Sequence, residues 1–494
     1  MKNKKVIVIG AGFSGLSSAS VLAQAGFDVT VLEKNSTPGG RARKFSENGF
    51  TFDMGPSWYW MPDVFEKYFA LFNKVPADYY QLRRLDPSYR FYFGKNEIVD
   101  MPSTFSQIVE LFEREEVGAG NQLIKFLKEA EYKYTVAMSK FVYKPGLSIL
   151  EFVRPELLAS VFRLQMLQSF DSHLKHHFKS PKLRQMLEFP ILFLGGTAKN
   201  TPAMYSLMNY GDIKLGTWYP VGGMYKVVEG MVELATTLGV KFIYDSPVDS
   251  IHVSNGKITS VTASGNSYDT SNVIASADYH YVEQFLLPEK YRTYTNAYWE
   301  SRVLSPSSLI FFLGIDKKLE GIEHHTLFFD ENLSEHSDAI YKHPSWPEKP
   351  SLYFSCTSKT DNTVAPEGME NLFVLIPVAP GLEDTEETRE KYFQIVLKRF
   401  QVLTGQDISK SIVFKRSYAH TDFEIDYNAF KGNAYGLANT LMQTAFLKPK
   451  MKSKKVKNLY YTGQLTAPGP GVPPALISGE MVARLVMKDL GIGV

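Results

Sequence analysis

Cysteine is almost missing: Cys356 is the only one in 494 residues. A lone thiol closes no intrachain disulfide, offers no dithiol pair and builds no cysteine metal cluster, and it fits a reducing cytoplasm. Net charge is almost missing too. Lys+Arg number 54 against 52 Asp+Glu, a formal +2, so no global field calls for nucleic acid or another polyanion. No stretch of about eighteen uninterrupted apolar residues occurs, which argues against a spanning helix. Internal repeats, low-complexity tracts, a catalytic triad and a carboxylate dyad are likewise lacking. What the chain has is 44% hydrophobic and 14% aromatic residues, enough to bury large cores and form two interleaved domains.

The most informative stretch is the first forty-odd residues. Val6 to Ile9 is a β-branched run that reads as a buried parallel strand. Gly10 turns the chain, Gly12 admits a pyrophosphate close to backbone, and Gly15 lets the next helix pack near the strand. Ser14 to Ala25 reads as that helix, whose free N–H groups and positive dipole end suit a diphosphate. Gly26 stops it. A second strand ends in Glu33, followed by Lys34, eighteen residues after Gly15. A carboxylate there accepts from ribose hydroxyls and disfavours a 2′-phosphate. Gly39-Gly40-Arg41 then brings a fork of donors back toward the diphosphate. Lys2, Lys4 and Lys5 ahead of the strand mimic a secretory leader, but cleavage there would destroy the fingerprint.

Further on, Trp58-Tyr59-Trp60 with Phe65, Tyr68, Phe69 and Phe72 suggest a core helix, with the tryptophans positioned to line an apolar wall. Tyr89, Phe91 and Phe93 alternate as in a strand, and residues 105–143 and 147–194 read as helical, interrupted near Pro155 and Pro181. His173, His176 and His177 sit one turn apart, but no carboxylate or cysteine stands at a matching spacing and lysines flank them. A solvated helix face is expected, and no metal site. The nucleotide grammar returns with a helix near 227–238, a hairpin at Asn255-Gly256, and a strand running into Asp278, read as a helix N-cap. His324 and His325 are expected to be satisfied structural groups. Near the end, a strand reaches Gly463-Gln464, and a proline-glycine segment through Gly471-Val472 precedes a last helix near 475–488.

These motifs resemble the amine oxidase and carotenoid desaturase superfamily, and the closing segment resembles that of bacterial phytoene-desaturase-type enzymes. Gln464 departs from the aspartate that many relatives carry at that position. The resemblance implies an α/β fold, with a Rossmann-type FAD-binding domain interleaved with a mixed α+β substrate domain. The segments expected are 1–84, 216–290 and 421–494 for FAD, and 85–215 and 291–420 for substrate. It also implies that Gly55, Pro56 and Ser57 reach the flavin and that the backbone of Val248 meets the adenine. The implied cofactor set is thus Gly10, Gly12, Phe13, Ser14, Gly15, Glu33, Lys34, Gly39, Gly40, Arg41, Gly55, Pro56, Ser57, Val248, Gly463, Gln464, Gly471 and Val472.

The implied activity is carotenoid desaturation: a C=C bond inserted into a long polyene such as phytoene, with hydride passing to flavin N5. A later-acting 3,4-desaturase of hydroxylated carotenoids or γ-carotene, a flavin amine oxidase and a non-enzymatic carotenoid carrier stay open beside it. No catalytic side chain is assigned; Asp53 and Arg154 are polar groups expected to be structural. A water-insoluble substrate calls for a membrane surface. Lys448, Lys450, Lys452, Lys454, Lys455 and Lys457 are either a headgroup-binding cluster or a solvated loop. The expected location is the cytoplasm, peripherally bound to membrane; the oligomeric state stays open.

Overall fold

Two sheets, each assembled from distant pieces of chain, frame the molecule in a computed structural model describing residues 4–148, 151, 163–192 and 196–493. Strand β1 (Lys5–Ile9) lies at the centre of a five-stranded parallel sheet. On one side it pairs with Asn272–Ala275 and then Leu459–Tyr461, and on the other with β2 (Asp28–Leu32) and then Lys241–Ile243. Val6, Val8, Val29 and Val31 are completely buried, as β-branched residues covered on both faces should be.

Helix α1 (Phe13–Gln24) returns the chain across the sheet. A Cβ on Gly15 would lie 2.0 Å from the carbonyl oxygen of Gly10, so only glycine permits this approach. The closing helix (Val472–Asp489) packs against α1 just as tightly. A Cβ on Gly479 would lie 2.3 Å from the Ser14 carbonyl, and Ser17 Oγ donates to Leu476 O at 2.8 Å. The two helices are thereby fixed with both N-termini toward the same end of the sheet.

The second sheet has seven strands in the order Ile412–Tyr418, Ser307–Ile315, Glu370–Val378, Leu352–Ser355, His325–Phe328, Tyr89–Gly94, Glu97–Met101. Ser307–Ile315 is buried along its whole length between its two antiparallel neighbours. Helix Glu386–Thr404 covers one face through Phe393 against Phe311 and Phe400 against Phe354. The hairpin at Asn255-Gly256 joins Val248–Ser254 to Lys257–Ala263, both turn residues having positive φ. Arg154 and the break near Pro155 lie outside the described residues.

The helical layer brings one correction. His176 faces outward, but His173 and His177 are buried, their rings 5.3 and 5.5 Å from Phe126 on helix Ala119–Lys140. The carboxylate that sequence spacing failed to supply arrives from that other helix. Glu129 brings an oxygen to within 4.8 Å of a nitrogen on each histidine. Lys133 Nζ stands 3.4 Å from His173 Nε2, and its ammonium opposes a cation there.

Candidate functional site

A cavity of about 410 Å³ runs from the carboxyl ends of the parallel strands to the inner face of the seven-stranded sheet. Its first end is mostly backbone. No side chain caps α1 at Gly12, and nothing occupies the space a Gly12 Cβ would fill, so the first-turn amides face the cavity. Glu33 is buried with Oε2 accepting from Ala11 N at 2.7 Å and Oε1 from Asn35 N at 2.9 Å. That fixes the carboxylate against the glycine turn. Lys34 is held by Ile425 O and Asn428 Oδ1, and burial lowers its proton affinity.

Among the described residues, Arg41 is the one arginine whose charge is enclosed at this cavity. Its Nη2 donates to Asn433 O at 3.2 Å, and its plane lies over Tyr427 with 5.2 Å to the ring centroid. Nε has no partner among the described residues. Burial pulls its affinity for the proton down, while Asp278 acts in the other direction. Asp278 is an N-cap, its Oδ1 accepting from Tyr281 N at 3.2 Å, and it also faces the cavity. The Gln464 amide, with its oxygen toward the guanidinium, lies 3.0 Å from Arg41 Nη2. Backbone is close here as well: a Cβ on Gly55 would sit 2.4 Å from Arg41 O.

The closing helix starts at the cavity with Gly471 and Val472, again without a side-chain cap, and prolines at its first turn leave fewer amides to satisfy. Of the residues implied to hold the cofactor, all but Gly15 line the cavity; Gly15 lies beneath it, against Gly10. Asp53 stands apart. It accepts from Met224 N at 2.7 Å and Tyr225 N at 3.0 Å, capping helix Tyr225–Thr237, and burial pushes its carboxyl up to about 6.

The far end is apolar and aromatic, with Trp58, Trp60, Met61, Met208, Ile310 and Leu375 on its wall. Trp58 stacks on His325 at 3.9 Å between centroids, 15° from parallel. Behind the wall, Trp60 Nε1 donates to Thr217 Oγ1 at 2.8 Å, and Tyr89 donates to Asp212 at 2.6 Å. Burial pushes the Asp212 carboxyl up to about 7. His324 and His325 are buried, as expected of structural groups, but each has an Nε2 without a partner among the described residues. Tyr353, facing the cavity from the next strand, bonds to both Ser57 and His325. Nothing in the local sequence marked that pairing, since it arises from the register of two strands.

The lysine cluster is not a single surface. Lys448 is buried with no partner for Nζ among the described residues, and burial pushes its ammonium down to about 7. Lys450 donates to Gly146 O at 2.8 Å, and Lys452 pairs with Asp489 at 2.6 Å. Lys454, Lys455 and Lys457 are exposed. Among the described residues no helix is long and apolar enough to cross a membrane.

An elongated dinucleotide fits this donor set. Uncapped helix amides and a buried arginine with an unsatisfied Nε suit a diphosphate, a fixed carboxylate suits a ribose hydroxyl, and a second helix N-terminus lies farther along the same cavity. A family model described as flavin containing amine oxidoreductase matches residues 13–487. A carotenoid 3,4-desaturase of Haloarcula japonica is 42% identical over 491 residues, covering 99% of both chains. A phytoene desaturase of Fusarium fujikuroi is 31% identical over 99% of this chain and 90% of its own. A zeta-carotene-forming phytoene desaturase of Myxococcus xanthus is 30% identical over 98% and 94%. Among solved structures, wild-type putrescine oxidase bound to putrescine superimposes with a TM-score of 0.61 at 15% identity, covering 98% and 99%. At that identity the likeness speaks for fold alone.

Proposed function

The chain belongs to the family of flavin-containing amine oxidoreductases, and on that premise we propose how it works as an FAD-dependent carotenoid desaturase. FAD, when bound, supplies the acceptor for a hydride taken from a CH–CH unit of the polyene. The protein holds and orients. The α1 amides and Arg41 bind the diphosphate, Glu33 the adenosine ribose, and the segment around Val248 the adenine. Gly55 to Ser57, Gly463 to Gln464 and the N-terminus of the closing helix border the flavin ring. A helix dipole there favours the negative charge of the reduced ring. In this reading residues 1–84, 216–290 and 421–494 serve the cofactor, and 85–215 and 291–420 serve the substrate.

The observation that carries the reading is continuity: one cavity joins the dinucleotide cradle to an aromatic and aliphatic wall. Among the described residues, the carboxylates facing it, Glu33, Asp278 and Asp426, are all bonded at the cradle end. An amine substrate would want a carboxylate or a polar pair at the other. The 42% identity to a carotenoid 3,4-desaturase, above the 30–31% to phytoene desaturases, favours a late step near the end of an already conjugated chain. Expression of the chain in cells that accumulate phytoene, lycopene or γ-carotene tests it. A red-shifted pigment from lycopene or γ-carotene is expected. An unchanged spectrum with all three, together with peroxide release from amines, would overturn it.

Access to such a substrate is from a bilayer surface. Leu147, Met442 and Leu447 are exposed apolar side chains on two segments that touch through Gly146 and Ala445. They form the face that docks, with Lys454, Lys455 and Lys457 as the available cations. Flotation with liposomes, with and without anionic lipid, is expected to carry the protein upward; pelleting in both would remove this face from the account.

A further inference from the structure

Desaturation releases a proton as well as a hydride, and among the described residues the carboxylates on the cavity are committed elsewhere. Glu33 serves Ala11 and Asn35, Asp278 caps a helix, and Asp426 pairs with Arg43 and Tyr418. At the apolar end the cavity instead meets a short chain of hydroxyls ending in a base. Ser57 Oγ lies 2.7 Å from Tyr353 Oη, and Tyr353 Oη lies 2.7 Å from His325 Nδ1. Ser57 and Tyr353 line the cavity, whereas His325 is fully buried behind them under Trp58. These three residues come from positions 57, 325 and 353: a loop and two neighbouring antiparallel strands.

We propose that Ser57, Tyr353 and His325 form the proton outlet of the desaturation step. As hydride and its two electrons leave one carbon for the flavin, the C–H bond of the neighbouring carbon breaks and its electron pair closes the new C=C. The released proton goes to Ser57 Oγ, Ser57 passes its own to Tyr353 Oη, and Tyr353 passes its own to His325 Nδ1. The polyene ends neutral and two hydrogens poorer, the flavin reduced, and the imidazole protonated. Ser57 is the member that meets the substrate; Tyr353 and His325 act through it.

The relay requires Nδ1 to accept from the tyrosine, the neutral imidazole then carrying its hydrogen on Nε2. Burial and the neighbouring His324 depress its affinity for a proton, which keeps it unprotonated and ready. A weak base suffices, because a proton beside a developing allylic cation is strongly acidic. The stacking of Trp58 fixes the ring plane, so the tyrosine has one direction in which to donate.

This outlet rests on the desaturase reading, and the test separates the two. Purified holoenzyme is mixed anaerobically with lycopene or γ-carotene in phosphatidylcholine liposomes, and flavin bleaching is followed in H2O and D2O. Failure of the wild-type enzyme to bleach with either carotenoid counts against the desaturase reading itself. If it bleaches, Y353F is expected to bleach ten- to a hundredfold more slowly with full flavin content and a changed solvent isotope effect, in line with the usual worth of positioned proton transfer. S57A should be equally slow and S57T, which keeps the hydroxyl, close to wild type. Independently of turnover, 15N spectra of histidine-labelled resting enzyme should show a neutral Nε2–H tautomer that Y353F perturbs. Wild-type rate and isotope effect in Y353F would overturn the outlet. Should Y353F lose its flavin, equal rates for S57A and S57T would overturn it instead.

Discussion

The two ends of the cavity are built on opposite principles. The cradle end relies on backbone: amides of two helix N-termini, turns at Gly10, Gly39 and Gly463, and approaches that a single Cβ would block. Its side chains are few, and those that matter are charged. The wall end relies on side chains: indole rings and thioethers, with a tyrosine and a buried histidine carried on strands of the other sheet. A backbone site binds what every member of a large family shares, whereas a side-chain site is free to vary with the substrate. The same chain can therefore keep its cofactor and change its chemistry by changing the wall.

The largest test of that contrast is G15V. Even the first carbon of the new side chain would fall 2.0 Å from Gly10 O, so α1 must move off the strand. Overpacking of this kind costs about 1–3 kcal/mol in ordinary cores, and here the displaced element carries the proposed diphosphate site. The expected product is protein without flavin, read by absorbance at 450 nm, with a lowered Tm. A flavin-replete G15V would mean that the cradle is not a backbone device.

R41A is the next largest. It removes an enclosed guanidinium that faces the cavity and leaves Asp278 buried without its nearby cation. A charge-assisted hydrogen bond contributes about 1.5–3 kcal/mol, so the dissociation constant for FAD should rise ten- to a hundredfold, with the fold intact by circular dichroism. R41K is expected to recover part of the loss, since a point charge replaces a planar fork. Equal affinity in R41A and wild type would move the diphosphate elsewhere.

How much of this was legible in the sequence follows the same divide. The cradle could be read because its parts are consecutive: strand, glycines, helix and acid occupy Lys5 to Glu33, and glycine spacing reports backbone demands directly. The closing strand and helix could be read for the same reason. The wall could be read only as a tendency toward aromatics. Ser57, His325 and Tyr353 meet because His325 pairs across from Ser355 and Tyr353 across from Leu327, and strand register is a tertiary fact. The burial of His173 and His177 is not legible in the sequence, because their apolar cover, Phe126, and the neighbouring carboxylate, Glu129, come from another helix. Lys448 was counted as surface charge because composition assigns charge to residues without regard to which way the fold turns them.

The smallest effect sharpens the wall side through pH. Burial pushes His324 down to about 3 from the ordinary 6.5, with Asp361 pulling the other way. A histidine held neutral in the fold and free to protonate when unfolded contributes stability that is complete above pH 6.5. That contribution is lost as pH falls toward 3, because only the unfolded chain takes up the proton in between. At pH 5 the loss amounts to about 2 kcal/mol by linkage. Its Nδ1 bond to Thr360, at 2.8 Å, is a neutral partner that asparagine can keep in part. H324N should therefore be less stable than wild type at pH 8 but lose less on going from pH 6.5 to 5, measured as Tm in the presence of saturating FAD. Parallel pH profiles for H324N and wild type would show that the acid sensitivity lies outside the wall, and the division between a backbone cradle and a titrating side-chain wall would have to be redrawn.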